Sequence, residues 1–231
     1  MKTKLSKFIF VILLLLSFFG CKKKEIEKVD KYQFEKNVIN NVFLEIVDSI
    51  YMDRRTILGP PMPRIDFKTN KEDTIGYHAE LKKYNLEQDS IKNGKAKILI
   101  GVDDLVNKIS GFDKEQFIKD CQKIECVYDK SKEVKSFKFD ITPFKNNKKF
   151  NFQYLSKFPP VNLWDLNDKK SFIPVGAITI SRIQFNNTKT RGVLSASASC
   201  GGGKCGRGFI IIIENKSGKW KVEKVIHTWV S

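Results

Sequence analysis

The sequence lacks the short motifs that mark common enzyme classes. It has no H-E-x-x-H zinc motif, no G-x-S-x-G nucleophile motif and no dinucleotide-binding glycine fingerprint. No internal repeat is found either. The motifs therefore assign no catalytic residue, no metal ligand and no cofactor. Apolar residues nevertheless make up 41% and aromatic residues 12% of the 231 positions, which is enough for a packed core and excludes a disordered chain.

The sequence also lacks an apolar run long enough to cross a bilayer, which needs about 20 residues. The longest run, Phe8 to Phe19, has 12 residues and contains one serine. A basic segment, Met1 to Lys7, precedes it and Gly20-Cys21 follows. This order predicts a secretory signal peptide. With cysteine directly after a small residue, it resembles a bacterial lipoprotein signal, in which the cysteine becomes the new N-terminus and carries the lipid.

We expect residues 1–20 to be removed, residues 21–30 to be a charged tether, and residues 31–231 to form a single α+β domain. Lys22 follows the cysteine, where some lipoproteins have the aspartate that retains them at the inner membrane. The expected location is therefore the outer membrane, facing the periplasm. The expected partners are membrane lipid, through Cys21, and an unknown envelope protein or ligand.

Positive charge is abundant, with a formal net charge of +16. Lys2, Lys4 and Lys7 lie in the first 20 residues, so the remainder carries +13. Such an excess favours acidic partners. No lysine cluster falls on an aromatic-bearing helix or strand as nucleic-acid modules require, so we interpret the lysines as dispersed surface charge and expect no nucleic-acid partner.

Residues 31–94 are predicted to be mainly helical. Apolar residues spaced by four predict a helix from Lys31 to Met52, with Asp30 as its N-cap. Gly59 to Pro63 is a connecting loop. A second helix is predicted from Glu72 to Ile91, with its core-facing positions at Ile75, Ala79, Leu86 and Ile91.

Residues 95–231 are predicted to be mainly sheet. A strand at Ala96 to Val102 precedes a helix at Lys114 to Ile124, for which Asp113 is the predicted N-cap. Phe137 to Phe139 and Phe150 to Phe152 alternate as strands joined by a turn, and Trp164 fills an edge of the core. Four strands forming a C-terminal meander follow: Val175–Phe185 with a bulge near Ser181-Arg182, Gly192–Ser199, Phe209–Ile213 and Trp220–Val230. The expected fold is α+β, with N-terminal helices packed on a mainly antiparallel β-sheet. A cone-shaped sheet around a pocket, as in NTF2-like folds, is the alternative.

The turn Cys200-Gly201-Gly202-Gly203-Lys204-Cys205 is the first candidate site. If Ser199 faces Gly206 in a hairpin, the two cysteines are opposed and suit a disulfide. A loop this short is worth about 2 kcal/mol. If Glu214 faces Lys219 in the next hairpin, Gly206 faces His227. The functional alternative is a reactive dithiol beside His227, within a turn formed by Gly201, Gly202, Gly203 and Lys204.

Cys121 and Cys126 are the second pair. Five residues apart on one helix they would point to different faces, so a bridge requires the helix to end near Ile124. Four cysteines allow three connectivities, and cross-pairing stays open. Asp103-Asp104, after the first strand, is interpreted as a loop cap because no further carboxylate or histidine accompanies it.

Six parts of the chain form a recognisable pattern: Ile180–Phe185, Gly192–Leu194, Ser199-Cys200 with Cys205-Gly206, Gly218–Lys221, Thr228–Ser231 and Phe43–Ile50. This pattern resembles that of uncharacterised lipoproteins of the Bacteroidota type. The resemblance implies an envelope location and a paired Cys200 and Cys205. It implies no activity.

Overall fold

The computed structural model describes residues 32–57, 59–63, 65–66, 69–94, 97–109, 114–126, 135–164, 174–201 and 205–231. Helical residues predominate before residue 95 and a mainly antiparallel sheet predominates after it, so the predicted α+β class is confirmed. The predicted helix caps Asp30 and Asp113 lie outside the described residues.

The described residues form four α-helices: α1 Gln33–Ile50, α2 Arg54–Ile57, α3 Thr74–Lys92 and α4 Lys114–Lys123. They also form eleven strands: β1 Ile65–Asp66, β2 Lys71–Glu72, β3 Ile98–Val102, β4 Leu105–Val106, β5 Phe137–Lys138, β6 Phe150–Tyr154, β7 Gly176–Ile180, β8 Gln184–Phe185, β9 Arg191–Ser199, β10 Gly206–Lys216 and β11 Lys219–Val230.

Seven strands form the main sheet in the order β11-β10-β9-β7-β3-β6, with β8 beside β9. The C-terminal meander is therefore confirmed. The predicted hairpin of Phe137–Phe139 with Phe150–Phe152 is wrong, because β5 pairs with β4 and β6 pairs in parallel with β3. Alternating apolar residues indicate that a strand is half-buried, but they do not indicate which strand it pairs with.

Helix α1 provides one side of the core. Its inner face consists of apolar side chains that are at most 3% exposed: Val38, Ile39, Val42, Phe43, Ile46, Val47 and Ile50. The Phe43 ring lies 4.7 Å from those of Phe139 and Phe144 and 5.2 Å from that of Phe152. Burial of each such side chain stabilises the fold by about 1.5–3 kcal/mol. The predicted amphipathic stripe of this helix is confirmed from Val38 onward, whereas Phe34, which was predicted to begin it, is 42% exposed.

Strand β10 lies between β9 and β11 in the sheet and is buried on both faces. Ile210 and Ile212 belong to an apolar cluster with Phe117 and Cys121 of α4. Ile211 and its alternate neighbours point to the opposite face. All five residues from Phe209 to Ile213 are at most 6% exposed. Cover on both faces explains why this strand is apolar at every position.

Helix α3 does not pack as predicted. None of its residues is buried, and Ile75 and Leu86 are 85% and 62% exposed. Of the predicted positions only Ile91 is half-buried, and the half-buried residues that accompany it include Tyr77, Leu81, Tyr84 and Gln88. The sequence offers two stripes at helical spacing, and the one containing the aromatic residues is the one that packs.

The predicted strand Val175–Phe185 is split into β7 and β8. Ile180 pairs with Ala196 and Gln184 with Val193, so three residues between the first pair and the second face only two. The extra residue reverses the side-chain alternation, as expected for a bulge at Ser181-Arg182. The break also directs Arg182 toward Glu35 of α1.

Candidate functional site

Cys200 and Cys205 form a disulfide at the end of the β9–β10 hairpin. Ser199 pairs with Gly206, as predicted, and the two cysteine Cα atoms are 5.4 Å apart. The Cys200 N–H and the Ser199 hydroxyl both donate to the carbonyl of Cys205, at 3.0 and 2.9 Å. With exposures of 0% and 7%, these cysteines stabilise the turn and offer little surface for reaction.

His227 does not lie opposite this turn. It pairs with Phe209, and the two rings are 4.7 Å apart. The predicted facing of Glu214 with Lys219 is also wrong, because Glu214 faces Lys221 and the hairpin reverses at Ser217-Gly218. Ser217 and Gly218 both have positive φ, which permits a tight two-residue turn. Gly202, Gly203 and Lys204 lie outside the described residues.

Cys121 and Cys126 form the second disulfide. Helix α4 ends at Lys123, and Glu125 then takes a positive φ of 60°. The Cys126 N–H donates to the Cys121 carbonyl and the Glu125 N–H to the Gln122 carbonyl, which together make a Schellman motif. The hydrophobic contact that usually closes this motif is replaced here by the disulfide. The prediction that the helix must end near Ile124 for Cys121 and Cys126 to be bridged is therefore confirmed.

The acidic pair Asp103-Asp104 caps loops. Asp103 accepts the N–H of Leu105 at 3.1 Å, and Asp104 accepts the N–H and the hydroxyl of Ser156 at 3.1 and 2.7 Å. Within the part of the chain that the structure describes, no three histidine, cysteine or acidic side chains are grouped as metal ligands.

A cleft of about 850 Å³ lies between the ends of α1 and α3 and the start of β6. None of the sequence candidates within the described ranges lines it. The lining residues come from four segments of the chain: Tyr51, Asp53, Arg55, Thr56, Ser90, Ile91, Lys92, Gly94, Ile98, Lys148 and Lys149. Four of them are cations and one is an acid.

Two of the four cations are held by carboxylates. The Arg55 guanidinium donates to both oxygens of Asp53, and this hydrogen bonding raises the pKa of Arg55. The Lys149 ammonium lies 2.5 Å from Asp48, which likewise raises the pKa of Lys149 through a hydrogen bond. Lys149 also lies 4.8 Å from the centre of the Tyr51 ring. Both cations are therefore fully charged at neutral pH.

The other two cations, Lys92 and Lys148, are exposed. Among the described residues neither forms an ion pair with a carboxylate. They come from the last residue of α3 and the loop before β6, so the cleft has free positive charge on two of its sides.

Comparison of the chain with protein families, curated proteins and solved structures finds no match. No helix in the described ranges is long and apolar enough to cross a membrane.

Sequence reasoning missed the cleft because its residues are distant in the chain. Lys148 and Lys149 fall in the turn, Lys145 to Lys149, that the sequence predicts before Phe150, and Arg55 belongs to a one-turn helix that no periodicity indicates. The available signal was weak: a Lys-Lys pair directly before the aromatic strand β6.

Proposed function

We propose that this protein is a cell-envelope lipoprotein with a non-catalytic binding role, anchored to a membrane by lipid on Cys21. The observation that carries the proposal is the number of its cysteines and the way they pair. The chain has five, and the four beyond Cys21 pair with each other in two disulfides. The remaining cysteine is the one that directly follows the predicted signal peptide.

The disulfides support an oxidising compartment, where such bonds form and persist. Each closes a structural feature, a hairpin end or a helix end, and all four cysteines are at most 7% exposed. An outer-membrane position facing the periplasm agrees with Lys22 after the lipidation site. The resemblance to Bacteroidota-type lipoproteins points the same way.

The competing proposal is a thiol-dependent enzyme or redox protein that uses Cys200, Cys205 and His227. It is less well supported, because His227 faces Phe209 and the two sulfurs are bonded to each other. The cleft, by contrast, offers space and uncompensated charge. Concave sites with a few converging polar groups are the usual places for ligands, which supports the binding role.

The test is an intact mass of the protein purified from membranes, before and after reduction and alkylation. We expect an acylated chain that begins at Cys21 and takes up alkylating reagent at four cysteines only after reduction. A Cys21→Ala variant should leave the membrane fraction. An unlipidated mass that begins elsewhere would refute the anchor, and free alkylation of Cys200 and Cys205 would favour the thiol enzyme.

A further inference from the structure

The charge of the cleft is not balanced by its own residues. Arg55 and Lys149 are offset by Asp53 and Asp48, respectively. Lys92 and Lys148 add two further positive charges with no acidic partner in the described ranges. A ligand that carries negative charge at two points would therefore find two ammonium groups on separate walls.

The neighbouring helix end opposes an anion only weakly. The last turn of α3 lines the cleft at Ser90 to Lys92. A helix C-terminus carries roughly half a negative charge. Here the side chain of Lys92 and the N–H of Asn93 partly neutralise it. Half a charge is smaller than the two uncompensated lysines, so the local potential stays positive.

The kind of cation available indicates the kind of anion. The Nε and Nη2 edge of the Arg55 guanidinium, a fork that suits a carboxylate, is already occupied by both oxygens of Asp53. The free groups are lysine ammoniums, which act as point charges and commonly bind phosphate. The volume of about 850 Å³ exceeds what one phosphate fills.

We propose that the cleft between Lys92 and Lys148 binds a small molecule that carries two or more phosphate groups. This deepens the binding role proposed above and rests on it. Arg55 and Lys149, which are held by Asp53 and Asp48, form part of the cleft walls. The ammonium groups of Lys92 and Lys148 contact the phosphates.

The experiment measures binding of inorganic pyrophosphate by calorimetry to the full protein purified from membranes in detergent. The test variant is Lys92→Ala with Lys148→Ala. The matched control is Lys82→Ala with Lys83→Ala, which removes the same charge from exposed positions of α3 that do not line the cleft. Circular dichroism and the melting temperature of each variant confirm that the fold is retained.

We expect pyrophosphate binding to weaken about tenfold in the test variant, because two exposed charge contacts of modest strength are lost, and less than about twofold in the control. Binding should also weaken as salt is raised. No binding at about 10 mM pyrophosphate, or equal weakening in both variants, would overturn the proposal.

Two further probes define the ligand. Citrate that binds as tightly as pyrophosphate would overturn the choice of phosphate over carboxylate. Glycerol 3-phosphate represents a phospholipid headgroup. If it binds at least as tightly as pyrophosphate, a single phosphate suffices, as on a lipid headgroup, and the proposal of two or more phosphate groups is overturned. If it binds more weakly, the second phosphate contributes to binding and the proposal is supported. The intact mass reports the Cys21 anchor separately, so an unlipidated protein that binds pyrophosphate refutes only the anchor.

Discussion

The ion pair between Glu35 and Arg182 offers the sharpest test of how the helices are joined to the sheet. The two side chains are 7% and 11% exposed. Glu35 accepts three hydrogen bonds from the Arg182 guanidinium, at 2.5–2.9 Å, and one from the N–H of Ile183 at 2.7 Å. The carboxylate thus links the first turn of α1 to the break between β7 and β8.

We expect Glu35→Ala to lower the free energy of unfolding by about 3 kcal/mol. Breaking a buried pair typically costs 3–5 kcal/mol, because the remaining charge has lost its partner. The lower end applies here, since Arg182 keeps its hydrogen bond to the Lys135 carbonyl at 2.6 Å and its contact with the Phe137 ring at 5.1 Å. The buried N–H of Ile183 also loses its acceptor.

Urea unfolding, followed by circular dichroism, measures this loss. Glu45→Ala is the matched control: the same change on the same helix, where an exposed carboxylate accepts one N–H, from Val222 at 2.8 Å. Glu45→Ala should lower the free energy of unfolding by about 1 kcal/mol or less. The combination Glu35→Leu with Arg182→Met should be more stable than Glu35→Leu alone, because it leaves no buried charge. A loss below about 1 kcal/mol for Glu35→Ala would refute the reasoning.

Three further changes have definite expected outcomes. Gly208→Ala should destabilise by about 1–3 kcal/mol and alter tryptophan fluorescence, because the added Cβ would lie 2.0 Å from Nε1 of Trp229, and Trp229→Val should relieve the effect. Cys121→Ala with Cys126→Ala should cost about 2 kcal/mol in urea and increase hydrogen exchange at the end of α4, whereas unchanged exchange would contradict a role in the helix cap. Asp140 accepts hydrogen bonds from Thr142, which lower the pKa of its carboxyl. The contribution of this carboxylate to folding stability is therefore present above the ordinary aspartate pKa, about 4. The difference in unfolding free energy between the native protein and the Asp140→Asn variant should shrink as the pH falls below that value.

The sequence was sufficient for features that depend on local pattern. The stripe of α1, the continuous apolar run of β10 and the opposed cysteines of the β9–β10 hairpin each follow from spacing within one or two neighbouring elements. The sequence also predicts that Trp164 fills an edge of the core. In the structure Trp164 is 1% exposed, and its Nε1–H donates to the Pro159 carbonyl. In each case the period of the side chains sets which face is buried.

Features that depend on distant partners were not predictable in this way. Strand β6 alternates as it would in a hairpin, yet it pairs in parallel with β3, about fifty residues earlier. Helix α3 offered two stripes, and only packing against other elements selects between them. The cleft combines the ends of α1 and α3 with the loop before β6, and no single segment contains enough of it to form a motif.

The long edge strand β11 shows the same division between local and distant information. Its twelve residues lie at one edge of the main sheet, where a regular strand would present unpaired N–H and C=O groups to another chain. Lysines along it, visible in the sequence, already discourage such pairing. The structure adds two bulges, at Glu223 and Thr228, where one residue of β11 has no partner on β10. The first bulge brings Glu223 to Arg191 of β9, and the neighbouring N–H of Val222 is covered by Glu45 of α1. Because the bulges interrupt the ladder and a helix side chain occupies one edge donor, β11 can stay long without acting as a template for a second copy.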